Sequence, residues 1–155
     1  MNSEALEQIR NFYRIDDRIA TAGQPTVDQF NNIKLANFDL VINLALPDPP
    51  DAIEDEGDLM DKLGMDYIHI PVDFKAPTLD DLNAFFNAVD QNRDKRVFIH
   101  CALNLRVSAF MFLYRRIRQH ISASDALPGL QAIWKPDITW QQFIASVLAH
   151  YQIRD

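Results

Sequence analysis

The alternation of hydrophobic and polar residues predicts short strands separated by helices. Two strands are predicted at Phe12 to Ile15 and Arg18 to Thr21, joined by a turn at Asp16-Asp17. The nearly continuous apolar run from Phe38 to Leu44 is typical of a strand buried on both faces, as parallel strands between helices are. A further strand is predicted at Met65 to Val72. The first half of the chain therefore has the pattern of a β-α-β beginning.

Helices are predicted where apolar residues recur every three or four positions. Thr26 and Gln29 form a capping-box pattern at the start of the first helix, and Thr78 caps another. Residues 122–134 and 137–152 have the pattern of two more helices, which we expect to cover one side of the sheet. The predicted buried stripes are Val27, Phe30 and Ile33 in the first helix, Leu79, Leu82, Phe85, Phe86 and Val89 in the second, and Trp140, Phe143, Ile144, Val147, Leu148 and Tyr151 in the last.

The stretch from Arg96 to Ile117 combines a strand pattern and a helix pattern. Val97 to Ile99 is a short β-branched and aromatic run with the length of a buried strand. From Leu105 onward, apolar residues repeat with a helical period and leave little polar face. His100 and Cys101 fall in between, so the stretch is predicted to be a strand, a tight loop and a buried helix. The apolar helical positions are Val107, Phe110, Met111, Leu113, Tyr114 and Ile117.

Strands that alternate with helices predict the α/β class. We expect a three-layer α/β/α fold with a central, mainly parallel sheet of four or five strands. A chain of 155 residues with 48% hydrophobic and 24% charged residues is expected to form a single domain over residues 1–155.

Composition and charge narrow the function classes. The net charge of −7 argues against nucleic-acid binding, which requires a basic face. A single cysteine permits no internal disulfide. The apolar run around 109–114 is too short to span a bilayer, so no membrane partner is expected. Residues 1–12 lack the apolar core of a signal peptide, which predicts a cytoplasmic protein, or a periplasmic one if a leader has been removed.

An acidic run extends from Pro47 to Asp58. Carboxylates suit hard cations, but we interpret the run as the start of a helix, because acidic side chains in a first turn complement the helix dipole. Asp51 and Glu54 fit an acidic capping pair, and Gly64 suits the end of that helix. No metal or other cofactor is therefore expected. The acidic residues are Asp48, Asp51, Glu54, Asp55, Glu56 and Asp58.

The loop at Cys101 carries the chemistry. A loop between a strand end and a helix start exposes unbonded backbone N–H groups at the positive end of the helix dipole, which favours bound anions and the thiolate form of a cysteine. Arg106 adds a planar fork that can hold two oxygens of a phosphate. Asn104 tolerates the left-handed conformation that such a tight loop can require. These parts predict a covalent phosphoryl-transfer site, with phosphate or sulfate as loop ligands.

At these residues the chain resembles the cysteine-dependent protein tyrosine and dual-specificity phosphatases. Their signature is His-Cys, five residues, then Arg and Ser/Thr. Here His100 and Cys101 match, but only four residues precede Arg106, Val107 intervenes before Ser108, and the family's loop glycine is absent. The resemblance is closest to small bacterial phosphatase-like proteins related to the phosphatase-like domain of β-lactamase-type hydrolases. The segment 13–25, YRIDDRIATAGQP, also suggests that branch.

The resemblance implies a phosphoric monoester hydrolase that forms a cysteinyl-phosphate. Cys101 is expected to attack phosphorus, and Asp73 to protonate the leaving oxygen, because the carboxyl ends of parallel strands share one rim. Asp80 and Asp81 are the alternatives for this acid if the loop folds back. His100 is expected to tune the thiolate, and Ser108 to assist breakdown of the intermediate. Phosphate is expected to bind to Arg106 and to the backbone amides of Ala102, Leu103, Asn104, Leu105 and Arg106.

Two alternatives stay open. A cysteine followed by four residues and a basic residue is also the loop length of rhodanese-like sulfurtransferases. A loop one residue short can also mark a pseudophosphatase that binds a phosphorylated partner, since one missing donor at a charged transition state costs about 3 kcal/mol. The substrate in the favoured interpretation is a phosphorylated small molecule or a phosphoprotein.

Overall fold

The sheet determines the architecture of the protein. The computed structural model describes residues 2–47 and 52–154. Five strands among these residues form one sheet of order β1-β2-β5-β3-β4, in which β1 runs antiparallel to β2 and the other neighbours are parallel. The strands are β1 (Tyr13–Arg14), β2 (Ile19–Ala22), β3 (Leu40–Asn43), β4 (Asp66–His69) and β5 (Val97–His100).

Helices lie on both faces of the sheet. One hydrophobic core contains Leu6, Phe30 and Met60 against one face, and a larger core packs Phe85, Phe110 and other residues against the opposite face. The result is the expected three-layer α/β/α fold with a mainly parallel sheet. The helices are α1 (Asn2–Leu6), α2 (Val27–Leu35), α3 (Glu56–Leu63), α4 (Leu79–Asp90), α5 (Leu105–Ile117), α6 (Ala123–Gln131) and α7 (Ile138–His150).

The strongest local signals place the helix starts correctly. The Thr26 hydroxyl accepts from the Gln29 amide at 3.1 Å, and the Gln29 side chain accepts from the Thr26 amide at 2.9 Å, which completes the predicted capping box. Thr78 caps α4 as predicted. The prediction that Val27 is buried is wrong, because this first residue of α2 is 49% exposed and the stripe that reaches the core begins at Phe30.

The predicted cap of α3 is also wrong. The helix begins at Glu56 after Asp55, whose side chain makes no capping hydrogen bond, so Glu54 lies before the helix. Asp51 lies outside the described residues. The predicted end at Gly64 is confirmed, since its φ of 78° is the left-handed conformation that glycine adopts without a steric cost.

The sheet order places β5 between β2 and β3. The register pairs His100 with Ala22 on one side and with Asn43 on the other. The chain segments that follow these three strands therefore leave the sheet side by side. No helix in the described ranges is both long and apolar enough to cross a bilayer.

Candidate active site

The loop that links β5 to α5 encloses a small cavity at the rim of the sheet. Cys101 follows β5 directly and has no exposed surface. Asn104 precedes α5 in the left-handed conformation, with φ of 67° and ψ of 6°, and this turn allows four residues to connect the cysteine to Arg106. The cavity has a volume of about 180 Å³ and is lined by Phe74, Cys101, Ala102, Leu103, Leu105 and Arg106.

Every carbonyl group of this loop accepts a hydrogen bond from a neighbouring part of the protein. The partners include backbone, side-chain amide, imidazole and hydroxyl groups, so the anchoring does not depend on one element. The bonds are His100 Nδ1 to Cys101 O at 3.1 Å, Gln24 N to Ala102 O at 3.0 Å, Asn11 Nδ2 to Leu103 O at 2.9 Å, Ser108 N to Asn104 O at 2.9 Å, and Ser108 Oγ to Leu105 O at 2.9 Å.

The anchored carbonyls orient the amides of the loop. In a planar trans peptide the N–H points opposite to the preceding C=O, so a carbonyl that is held on the outside directs the next N–H to the other side. Within the described chain, the amides of Ala102, Leu103, Leu105 and Arg106 donate no hydrogen bond. The loop therefore presents unused donors at the N-terminus of α5, where the helix dipole also favours an anion.

Arg106 supplies the charged side of the cavity. Its side chain is buried, and Nη1 donates to the carbonyl of Val72 at 2.9 Å. This bond fixes one edge of the guanidinium. Nε is buried and has no hydrogen-bond partner among the described residues. A buried guanidinium beside unused amides is suited to a doubly charged oxyanion.

His100 and Glu56 form a buried pair next to the loop. His100 Nε2 lies 2.8 Å from Glu56 Oε2, and the two side chains are 0% and 5% exposed. Glu56 Oε1 accepts from Gln24 Nε2 at 2.8 Å. Burial raises the pKa of the Glu56 carboxyl, but the hydrogen bond and charge of His100, with hydrogen bonds from Gln24 and Tyr67, lower it more, so its pKa lies below the ordinary value. Glu56 is therefore an anion at neutral pH.

Asp73 lies on the loop that follows Val72 at the same edge of the sheet. Its carboxylate is exposed and accepts from the Lys75 amide at 2.9 Å. The next residue, Phe74, lines the cavity, whereas Asp73 itself is not among the lining residues. The carbonyl of Phe74 accepts from the indole of Trp140 at 2.8 Å. Asp73 is therefore adjacent in sequence to a residue that lines the cavity, but does not line the cavity itself.

The hydroxyl of Ser108 is hydrogen-bonded to other groups of the protein. Its hydroxyl donates to the Leu105 carbonyl at 2.9 Å and accepts from the Trp134 indole at 3.1 Å. Both bonds hold the first turn of α5. The described geometry therefore engages Ser108 in supporting the loop.

A known protein family matches most of the chain. Residues 7–144 match the profile of the family described as "DSP-PTPase phosphatase fused to NAD+ Kinase". The chain belongs to this family of cysteine-dependent phosphatases. The family lies within the tyrosine and dual-specificity phosphatase-like superfamily that the His-Cys-x4-Arg segment resembles. No curated protein matches the chain.

Solved structures of phosphatases resemble the whole fold. A putative phosphatase of DUF442 from Shewanella putrefaciens CN-32 is 37% identical, covers 96% of this chain and 97% of its own, and superposes with a TM-score of 0.85. The core catalytic domain of PP-IP phosphatase SIW14 from S. cerevisiae, in complex with citrate, shares the fold at 17% identity, with 88% and 85% covered and a TM-score of 0.72. TpbA from P. aeruginosa, in complex with pTyr, shares it at 13% identity, with 92% and 90% covered and a TM-score of 0.70.

Four residues that support the phosphatase loop were missed by sequence reasoning. Gly23 lies so close to the loop that a Cβ would come within 2.6 Å of Ala102 O, and this glycine between a strand and a proline was the available signal. Glu56 lies four residues before Met60 and seven before Leu63, so the sequence placed it on the buried stripe of α3 but did not indicate its partner His100. The missed residues are Asn11, Gly23, Gln24 and Glu56.

Proposed function

We propose that the protein hydrolyses phosphoric monoesters through a cysteinyl-phosphate intermediate. The observation that carries the proposal is the loop itself, in which every carbonyl accepts a hydrogen bond, the amides of Ala102, Leu103, Leu105 and Arg106 donate none among the described residues, and these same residues line the cavity at Cys101. Such an arrangement stabilises three equatorial oxygens of a transferring phosphoryl group, where negative charge must be held. Membership of the phosphatase family supports the same chemistry.

The reaction has two steps. In the first, the Cys101 thiolate attacks phosphorus, an S–P bond forms, and the P–O bond to the leaving group breaks while Asp73 donates a proton to the departing oxygen. In the second, Asp73 removes a proton from water, the water oxygen attacks phosphorus, and the S–P bond breaks. Orthophosphate leaves, and the thiolate and the protonated Asp73 are regenerated. His100 supports the thiolate through the loop.

The shortened loop makes this proposed activity weak. Four residues separate Cys101 from Arg106, and the left-handed Asn104 closes the connection. One fewer residue removes or redirects an amide donor, which costs about 3 kcal/mol when the donor faces transition-state charge, or 10²- to 10³-fold in rate. Capture of phosphate in the ground state is less sensitive to this alignment.

The substrate we propose is a phosphorylated small molecule or a phosphoprotein. The TpbA structure in complex with pTyr and the SIW14 structure in complex with citrate support an anionic ligand in a fold of this kind. A binding protein without turnover is the second candidate, which the short loop favours. The matched family and the structures described above are phosphatases, so the sulfurtransferase alternative has no support from them.

Loop length and the nucleophile can be tested together. Wild type, Cys101→Ser and a variant with glycine inserted after Asn104 are assayed with an aryl phosphate, and wild type is assayed with thiosulfate and cyanide. We expect weak phosphatase activity in wild type, none in Cys101→Ser, and at least a tenfold rise on insertion, a fraction of the loss assigned to one donor. Phosphate should also protect Cys101 from alkylation by iodoacetamide.

The outcomes separate the candidates. Thiocyanate production would replace the proposal with sulfur transfer. Protection by phosphate without turnover in wild type would leave a binding protein. An alkylation rate that phosphate does not change would remove the anion site itself.

A further inference from the structure

Glu56 and His100 form a buried pair beside the loop. The proposed reaction steps assign no role to Glu56. The carboxylate comes from the start of α3 and the imidazole from the end of β5, 44 residues later in the chain. Both side chains are at least nine-tenths buried. An isolated ionised carboxylate is costly to bury, so its retention beside the loop calls for a physical reason.

Both ring nitrogens of His100 have hydrogen-bond partners. His100 Nδ1 lies 3.1 Å from the carbonyl oxygen of Cys101, and Nε2 lies 2.8 Å from the Glu56 carboxylate. A carbonyl oxygen and an ionised carboxylate can only accept hydrogen bonds. Nδ1 therefore carries the hydrogen that the Cys101 carbonyl accepts, and a hydrogen bond joins Nε2 to the Glu56 carboxyl.

The groups around the pair leave the ring one orientation. The ring of Phe30 packs edge-on against His100 with centroids 5.8 Å apart. Behind the carboxylate, Gln24 Nε2 donates to Glu56 at 2.8 Å, and the Tyr67 hydroxyl accepts from Asn43 Nδ2 at 3.0 Å. Burial and the nearby carboxylate raise the pKa of Tyr67, so this neighbour stays neutral. The ring is thus held between a fixed anion and the loop.

The orientation of the His100 ring determines the direction of the Ala102 amide, the first amide of the loop after Cys101. The peptide that joins Cys101 and Ala102 is planar and trans, so fixing its carbonyl on His100 fixes the opposite direction of the Ala102 N–H. That N–H donates no hydrogen bond among the described residues, and Ala102 lines the cavity. A ring that could rotate away would release the carbonyl and let this peptide turn.

We propose that Glu56 is a positioning residue that acts through His100 to hold the Ala102 amide toward the bound phosphate. The inference rests on the proposed function, because it assigns the carboxylate a part in forming that anion site. It also predicts which replacement is tolerated. In Glu56→Gln the amide can donate to a neutral ring that keeps its Nδ1 hydrogen, whereas in Glu56→Ala nothing holds Nε2.

The test compares Glu56→Ala, Glu56→Gln and Met60→Ala. Met60 is buried on the same helix one turn later, so Met60→Ala destabilises α3 without touching the pair. We expect Glu56→Ala to weaken inorganic phosphate binding about tenfold and to lower kcat/KM on an aryl phosphate by about 10², the effect of one misdirected donor. Glu56→Gln should stay within about threefold of wild type, and Met60→Ala should change only the melting temperature.

Nuclear magnetic resonance provides a readout that does not require activity. Nitrogen shifts of the His100 ring should show a protonated Nδ1 in wild type and in Glu56→Gln, and should change in Glu56→Ala. The Ala102 amide signal should move in Glu56→Ala and stay in place in Met60→Ala. If Glu56→Ala does not fold, Glu56→Asp carries the same comparison, because it keeps the charge but is one methylene too short.

The possible failures are distinguishable. Phosphate affinity and an Ala102 signal that are the same in Glu56→Ala and Met60→Ala would overturn the role of Glu56. A wild-type protein that neither binds phosphate nor turns over an aryl phosphate would overturn the proposed function, while the ring and amide signals would still decide whether Glu56 positions the loop.

Discussion

The two loops at the carboxyl edge of the sheet are held in different ways. The loop from Cys101 to Asn104 has all of its carbonyls bonded, and several of the donors come from distant parts of the chain. The loop around Asp73 is bonded mainly to itself, through the amides of Lys75 and Ala76. Beyond Val72, whose carbonyl accepts from Arg106, its long-range hydrogen bond is that of the Trp140 indole to the Phe74 carbonyl.

The difference separates two tasks in the proposed reaction. A loop with fixed carbonyls is preorganised and binds an anion without rearrangement. A loop that depends on aromatic packing can adjust its position when a substrate enters, as loops that carry a catalytic acid do. The ring of Phe74 packs against both Trp134 and Trp140, with centroids 5.7 and 5.8 Å away. Substitutions should therefore affect binding and proton donation separately.

The largest expected effect is at Arg106. Arg106→Lys keeps a positive charge but loses the planar fork and the buried Nε donor, so kcat/KM on an aryl phosphate should fall by about 10²- to 10³-fold. Phosphate protection of Cys101 against iodoacetamide should weaken in parallel. Arg93→Lys is the matched control, because Arg93 is largely exposed and should tolerate the change. A kcat/KM of Arg106→Lys within threefold of wild type would show that the anion site does not use this side chain.

The second effect is specific for the loop that carries the acid. Asp73→Asn should lower kcat on a phosphopeptide by about 10², because a poor leaving group needs the proton, and should affect an aryl phosphate less. Phosphate binding should be unchanged. Asp80→Asn, in the first turn of α4, is the control and should stay near wild type. Equal losses on both substrates would reassign Asp73 to structure.

The smallest expected effect is at Trp140, whose indole is hydrogen-bonded to the loop that carries Asp73. Trp140→Phe retains an aromatic ring but removes the hydrogen bond to Phe74, which should destabilise the protein by about 1 kcal/mol and lower the melting temperature by about 2–4 °C. Turnover of poor leaving groups should fall a few-fold while phosphate affinity stays constant. Trp134→Phe removes an indole bond to Ser108 instead, so it should not reproduce this pattern. A loss of phosphate affinity in Trp140→Phe would show that the two loops are coupled.

Local patterns were sufficient to predict the layers and the position of the loop. Apolar runs of strand length, the capping box at Thr26 and the His-Cys pair each depend on residues that are close in sequence, so their signals survive without a structure. Even the left-handed Asn104 follows from the residue type at a tight connection. The fold class and the family were predictable for this reason.

The supporting contacts could not be predicted in the same way. The interpretation of Glu56 as one of several acids in a first turn missed its contact with His100, since that contact depends on how α3 packs against the sheet. Asn11 reaches Leu103 across 92 residues, and no periodicity reports such a pair. The short α1 was missed as well, because its five residues carry too few apolar positions for a helical period.

The long separations in the loop's hydrogen bonds have a consequence for the order of folding. The bonds that join Asn11, Glu56 and Val72 to the segment 100–106 span 34 to 92 residues. Each closes a large chain loop, and closing large loops costs entropy before any contact repays it. In a chain whose β2 or α3 has not yet packed against the sheet, the loop from Cys101 to Arg106 lacks part of its anchoring, even if the helices have formed. Anion capture therefore requires these long-range contacts and cannot arise from the loop and its helix alone.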